Sequence, residues 1–141
     1  VDVQFEERLL KRGPNRSVRR TLEDGRPAAV KSWEAGGPWR SLRARVSARR
    51  EYELLGRMRS IGLPVPEPLA LRARAGRPEL VSAWIEGLDL RRRLCAGADP
   101  ALAVRLGQAL ARMHELGLRH ADLHAGNVLV DGHGEPWLVD A

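Results

Sequence analysis

Cysteine is all but missing from this chain of 141 residues. Cys95 stands alone, which excludes an intramolecular disulfide framework and any cysteine-based zinc site. Lysine is nearly as scarce: of 24 basic residues only Lys11 and Lys31 are not Arg. That bias reads as coding composition, and it makes each Lys conspicuous. No apolar run approaches the ~18 to 20 residues a membrane-spanning helix needs, and no charged-then-apolar leader of the secretory type is visible. The expectation is a reducing, cytoplasmic setting. Aromatic residues amount to 4%, and Trp39 and Tyr52 stand alone beside the basic run at residues 40–59. Base-stacking side chains therefore do not interleave with it, and no nucleic acid is expected as a partner.

What is present is enough for a core. The chain is 43% hydrophobic and 30% charged, with a net charge of +6, so it folds rather than remaining disordered. Its length suits one domain or part of a larger one. The charge is uneven: residues 1–60 hold 15 Lys or Arg against 8 Asp or Glu, and residues 61–141 hold 9 against 10. All of the excess belongs to the first part.

The first third reads as a three-stranded antiparallel meander over Val3–Leu10, Val18–Leu22 and Pro27–Trp33. Its second turn, Glu23-Asp24-Gly25-Arg26, is of the Asp-Gly hairpin type. An Arg-rich helix follows over residues 40–59. On it Glu51, Leu54, Leu55 and Met58 share one face, while Leu42 and Val46 fall off that stripe, which predicts a bend or separate turn before residue 47. The run from Gly62 to Pro68 carries three prolines and cannot continue the helix. Two strands, Leu69–Arg72 and Glu79–Ile85, precede a short helix over Leu88–Cys95. Then comes the clearest helix, with Asp99 as N-cap, Pro100 at its first position and Gly117 past its end. Leu102, Leu106, Leu110, Met113 and Leu116 give it an apolar face. A polar loop over residues 118–126 leads into a last hairpin, Asn127–Val130 and Pro136–Val139. Strands segregated before helices indicate an α+β chain.

The polar loop is the informative segment. In His120-Ala121-Asp122-Leu123-His124-Ala125-Gly126-Asn127 the Asn follows the Asp by five, and Asp140 lies 13 beyond Asn127 across the hairpin. With the preceding Met113-His114-Glu115-Leu116-Gly117, this segment resembles the catalytic loop of the kinase-like phosphotransferase superfamily. Arg49-Arg50-Glu51-Tyr52 through Gly62-Leu63-Pro64-Val65-Pro66-Glu67-Pro68-Leu69 resembles the bacterial lipopolysaccharide core kinases, which act on heptose or 3-deoxy-octulosonic acid. The resemblance implies a protein-kinase-like fold: an N-terminal antiparallel sheet lobe with one helix over 1–85, and the start of a helical C-lobe over 86–141. On that reading the chain is cut just after its metal-binding Asp. The chemistry implied is phosphoryl transfer from ATP with Mg²⁺. Asp122 would face the acceptor hydroxyl, and Asn127 and Asp140 would ligate the cation.

Ala28-Ala29-Val30-Lys31 looks like the kinase strand whose Lys contacts the α and β phosphates. A compact ammonium suits that task better than a planar guanidinium. Glu51, inward on the helix stripe, requires a partner, and Lys31 is the natural one. Glu53 falls on the far side beside Arg49 and Arg57. Gly13-Pro14-Asn15-Arg16-Ser17 departs from the G-x-G-x-x-G pattern, and Pro14 has no N–H to offer a phosphate. Gly13 and Ser17, with Asn15 and Arg16, remain as phosphate contacts, and an ordinary hairpin turn is the alternative. The resemblance places the adenine against the backbone of Ala83 and Ile85, and His124 near the γ-phosphate. His120 would brace the loop by hydrogen bonds.

The sequence therefore reads as an ATP-dependent phosphotransferase whose acceptor is a sugar or glycolipid hydroxyl of the lipopolysaccharide core. A protein kinase or antibiotic-type phosphotransferase is the runner-up, and a nucleotide-binding pseudokinase or inactive fragment is the non-enzyme alternative. The Arg run reads as a solvated helix face. For a kinase of lipid-anchored sugars it would also attract the anionic inner membrane, where the protein would sit peripherally.

Overall fold

A computed structural model describes residues 8–140, and the contacts among them form two compact units. The first comprises the described residues up to Glu53 together with Glu67–Trp84; the second comprises Leu54–Pro66 and the residues from Ile85 on. The part of the first expected strand that begins at Val3 lies outside the described residues.

The first unit is a five-stranded antiparallel sheet and the larger part of one helix. Strands β1 (Arg8–Arg12), β2 (Arg16–Glu23), β3 (Arg26–Trp33), β4 (Pro68–Arg74) and β5 (Arg77–Ala83) pair in the order β1-β2-β3-β5-β4. Two hairpin turns set the register, each with a non-glycine residue at positive φ followed by glycine: Asp24 and Gly25 between β2 and β3, Ala75 and Gly76 between β4 and β5. Consecutive left-handed residues match the twist of the flanking strands. One face of the sheet carries an apolar patch, Ala28, Val30 and Val81 with Ala70 packed on it. Beside that patch lies the buried carboxylate of Glu79. It accepts from Arg19 at 2.7 Å and from Arg72 at 3.2 Å, and Ser32 Oγ donates to it at 3.3 Å. Burial alone would push the Glu79 carboxyl up; the hydrogen bonds and charges of Arg19 and Arg72 outweigh it and hold the group below its ordinary range.

Helix α1 (Gly37–Ser60) contributes to both units. It runs unbroken, so the expected bend before residue 47 is absent. Ala44 and Ala48 are buried, whereas Leu42 and Val46 lie on the solvent side. Their failure to join the inward stripe reflects exposure and not a break in the helix.

In the second unit, β6 (Gly87–Asp89), β7 (Val128–Asp131) and β8 (Pro136–Leu138) form an antiparallel sheet in that order. The short helix expected over Leu88–Cys95 is thus divided: Gly87–Asp89 pairs with β7, and α2 spans Leu90–Cys95. Three residues are too few to show a strand period. Asp89 ends β6 and caps α2, accepting from the Arg92 N–H at 3.0 Å. Helix α3 (Pro100–Glu115) begins where the sequence predicts, its Asp99 carboxylate accepting from Leu102 N–H at 3.0 Å. Of its apolar face, Leu102 and Met113 are buried while Leu116 is exposed.

Helices α1 and α3 end in the same way. Gly62 and Gly117 take positive φ, and their N–H groups reach back to Arg59 O and His114 O. The next residues, Leu63 and Leu118, donate to Met58 O and Met113 O. This is a Schellman termination, and the side chains of Met58, Leu63, Met113 and Leu118 are all buried. Each ending turns the chain sharply, and after α3 it delivers the chain directly into the polar loop.

Candidate active site

In the first unit, β3 alternation sends Ala29, Lys31 and Trp33 to the sheet face opposite Val30 and Ser32. The Lys31 ammonium donates to both oxygens of Glu51, at 2.6 and 2.8 Å. The side chains are only 7% and 11% exposed. Helical geometry explains why Glu51 takes this place and Glu53 does not. Glu53 is solvent-facing and pairs with Arg49 at 2.8 Å. The Nζ of Lys31 also stands 5.4 Å from the ring centroid of Trp33. Trp33 went unnoticed in the sequence, though its place two residues beyond Lys31 was the signal. A cation held by a bidentate carboxylate beside an indole is fixed in position.

Other expected nucleotide contacts fall differently. Gly13 donates its N–H to Arg16 O at 2.7 Å, and Glu34 N–H reaches Asn15 O at 2.8 Å. The loop is therefore a closed hairpin turn with the Gly13 amide engaged. Ser17 pairs with Ser32, and Val18 with Lys31. Alternation then puts the Ser17 side chain on the sheet face away from Lys31, where it lines a cavity of about 300 Å³ with Arg19, Ser32, Arg74 and Arg77. Ser17 is not brought to the Lys31 ammonium; the strand register, invisible in the sequence, decides this. Ala83 N–H donates to Glu67 O at 2.8 Å, so this amide too is engaged within its unit. Ile85 lies half-buried in the second unit.

In the second unit the loop over residues 120–127 is tied down from beneath. His120 is buried, with Nε2 2.8 Å from Val139 O, while its Nδ1 accepts from Asp122 N–H at 3.2 Å. Nδ1 thus serves as an acceptor and Nε2 faces a carbonyl oxygen. Asn127, 1% exposed, donates from Nδ2 to Asp122 O at 2.9 Å and approaches Asp122 Oδ2 at 3.3 Å. Its Oδ1 is the remaining polar atom of that side chain. Val139 N–H in turn donates to Asn127 O at 3.0 Å. Val139 is thereby held on both sides, by Asn127 and by His120, and the next residue is Asp140. The hairpin that returns the chain is locked by Asp131. Its carboxylate accepts from Trp137 Nε1 at 2.9 Å and from the amides of His133 and Glu135. The Trp137 bond foremost, joined by those two amides, holds its carboxyl below the usual range against the opposing effect of burial.

Asp140 has φ +58. Asp24 and Ala75 share that conformation inside two-residue turns, but Asp140 follows a strand. Left-handed backbone in a non-glycine residue outside a turn costs of order 1 kcal/mol or more and concentrates at functional sites. Asp122, by contrast, is half exposed, with His124 Nε2 3.6 Å from its Oδ2. His124 also caps the 3₁₀ turn Ala125–Asn127 through Nδ1, which accepts from Gly126 N–H at 3.0 Å. A Cβ at Gly126 would stand 2.9 Å from the His124 ring and 3.4 Å from the Arg91 guanidinium. Arg91, on α2, is a cation beside this loop that no motif singles out.

The donor set suits a hard divalent cation. Asn127 Oδ1 and the Asp140 carboxylate are oxygen donors, and Mg²⁺ is usually held by one or two carboxylates together with substrate phosphates. Among the described residues no three His, Cys, Asp or Glu side chains converge into a site able to hold a metal unaided. A cation held by these two residues would complete its shell with water and with oxygens of a phosphate ligand.

These features define a protein-kinase-like fold: the five-stranded antiparallel sheet with its Lys–Glu pair, and the loop-and-hairpin unit carrying Asp122, Asn127 and Asp140. A solved structure titled PpkA-294 apo form shares it, with a TM-score of 0.71 at 20% identity, covering 94% of this chain and 56% of that one. The chain belongs to the phosphotransferase enzyme family, whose model matches residues 8–119. Similar relatives include the 3-deoxy-D-manno-octulosonic acid kinase of Stenotrophomonas maltophilia (strain R551-3). It is 38% identical over 110 residues, which is 72% of this chain and 43% of that protein. The protein of the same name from Xanthomonas axonopodis pv. citri (strain 306) is 34% identical over 132 residues, 87% of this chain and 50% of its own length. The chain thus spans about half the length, or less, of these relatives.

Proposed function

We propose that the protein is a phosphotransferase that moves the γ-phosphoryl group of ATP to a sugar hydroxyl of a lipopolysaccharide core acceptor. The observation that carries this reading is the arrangement of residues 120–140. One exposed carboxylate is held from beneath by the buried side-chain amide of Asn127, and a second lies in a strained backbone position directly after Val139, which is pinned to the main-chain carbonyl of Asn127. The names of the relatives support 3-deoxy-octulosonic acid as the acceptor.

In the reaction the acceptor hydroxyl oxygen attacks the γ-phosphorus, and the bond from that phosphorus to the β,γ-bridging oxygen breaks. ADP leaves with the electron pair. Asp122 orients the hydroxyl and takes its proton. Lys31, oriented by Glu51, holds the α and β phosphates. His124 stands close enough to Asp122 to shape its surroundings at the transferred group. Asn127 and Asp140 would hold Mg²⁺, which when bound supplies charge neutralisation at the phosphate oxygens. Catalysis on this reading is positioning and electrostatics. The location proposed is cytoplasmic, peripheral at the anionic membrane that carries a lipid-linked acceptor.

The test is phosphate transfer from labelled ATP to acceptor glycolipid by the full-length protein. Asp122→Ala should lower kcat by about 10²- to 10⁴-fold, the usual contribution of a positioned acid–base group, with ATP affinity retained. Full turnover by this variant, or absence of transfer by the parent to any glycolipid sugar, would overturn the reading.

A further inference from the structure

The outer face of α1 is not the uniformly charged surface that its sequence implies. Trp39 is 79% exposed, Leu42 54% and Val46 40%. At about 100° per residue, Leu42 and Val46 lie within about 60° of Trp39, so the three form one stripe along the helix. Arg43 and Arg50 flank the stripe on one side, Arg45 and Arg49 on the other. All four are exposed. Arg49 is occupied by Glu53, the one acidic residue in this arc, at 2.8 Å. Arg43, Arg45 and Arg50 have no ion pair among the described residues. The opposite side of the helix holds buried Ala44 and Ala48 and the Lys31–Glu51 pair, so the stripe faces solvent in a fixed orientation.

An indole and two aliphatic side chains in line, with guanidinium groups on both flanks, match a lipid interface. The apolar stripe reaches the headgroup–acyl boundary, Trp is favoured at that depth, and Arg forks onto lipid phosphates. A polynucleotide would bury the stripe against phosphates and leave it unmatched. An acidic protein surface would lack the apolar layer beneath the anions. We infer that the outer face of α1, centred on Trp39, Leu42 and Val46, docks the protein on an anionic bilayer. The inference deepens the peripheral-membrane part of the proposed function. It is read by binding without nucleotide or acceptor, so loss of phosphoryl transfer leaves it standing, and failure to bind leaves the catalytic residues untouched.

The test is co-sedimentation of the full-length protein with phosphatidylglycerol–phosphatidylcholine vesicles and with pure phosphatidylcholine vesicles. Binding should occur only to the anionic vesicles and weaken as salt is raised. Replacing Arg43, Arg45 and Arg50 together by Ala should lower the partition coefficient roughly a hundredfold at low salt, at about fivefold per cation near the surface. Trp39→Ala with Leu42→Ser should also abolish binding although it removes no charge. The fluorescence blue shift on adding vesicles should vanish in Trp39→Phe. All these side chains are exposed, and circular dichroism checks that the variants remain folded. No sedimentation of the parent at low salt overturns the inference. So does undiminished binding by the Trp39→Ala, Leu42→Ser variant. A self-association that this variant abolishes, without vesicle binding by the parent, would assign the face to a protein contact instead.

Discussion

The Lys31–Glu51 pair allows stability and ligand binding to be separated in one experiment. Replacing Glu51 by Leu leaves an ammonium that is 7% exposed next to an apolar side chain. Removing one partner of a buried, doubly hydrogen-bonded pair costs about 3–5 kcal/mol, a large part of the 5–15 kcal/mol typical of a domain. With a urea m-value of about 2 kcal/mol/M, the unfolding midpoint should fall by roughly 1.5–2.5 M. The partial exposure of Glu51 puts the expectation at the lower end of that span. Combining Glu51→Leu with Lys31→Met removes both charges and retains volume, and such replacements are commonly neutral or better. The double variant should therefore recover to within about 1 kcal/mol of the parent, giving a coupling free energy of about 2 kcal/mol or more between the sites. ATP affinity should behave otherwise. It should drop at least tenfold in Lys31→Met and stay low in the double variant, since a restored fold does not restore the ammonium. Urea titration followed by tryptophan fluorescence, with ATP binding by calorimetry, measures both. If Glu51→Leu leaves the midpoint unchanged, or the double variant is no more stable than that single one, the pair does not hold Lys31. If Lys31→Met binds ATP as the parent does, Lys31 is not the phosphate contact.

Two further outcomes follow from the same geometry. A Cβ at Gly87 would collide with Val130 O and stand 2.9 Å from Val130 C, both backbone atoms of the neighbouring strand. Gly87→Ala should therefore lift β6 from β7 at a cost of about 1–3 kcal/mol. Faster hydrogen exchange at Leu88 and Val130 amides is the readout, and parent-like protection would show that the strand yields freely. Glu79 has a folded-state pKa lowered below its ordinary 4.5 by Arg19 and Arg72. The stability it contributes is present above the unfolded value and is lost as pH falls through the folded one. Glu79→Gln should thus be less stable than the parent at pH 7, and the gap should narrow as the pH is taken below about 4.5. A gap that widens toward acid would contradict the assignment.

Much of the candidate site was legible because it depends on local geometry. The 3.6-residue period alone puts Glu51, and not Glu53, on the inward stripe. The Asp99 cap and the Gly117 stop fix where α3 ends and hence where the polar loop begins. What escaped the sequence depends on partners distant in the chain. Ser17 was a phosphate candidate by proximity to Gly13, yet the register Ser17 to Ser32 turns it away from Lys31. The three-residue strand β6 exists through its pairing with β7, and it is too short to carry a period. Leu42 and Val46 marked a break in the apolar stripe, but a helix stripe cannot say whether an off-stripe apolar residue bends the helix or faces solvent.

Scarce cysteine, scarce lysine and the spacing of Asp122, Asn127 and Asp140 were in the sequence from the outset. The order of strands before helices indicated an α+β chain, and the resemblance of the loop and lysine-strand motifs to kinase-like phosphotransferases supplied the chemistry to test, because propensity, capping and motif spacing act over a few residues. Tertiary structure alone decided which atoms meet. It set Lys31 on Glu51 and pinned Val139 between His120 and Asn127. It also placed Asp140 in a left-handed backbone and exposed Trp39 among arginines. Each of these depends on strand register, on which helix face is covered, and on hydrogen bonds between residues far apart in the chain.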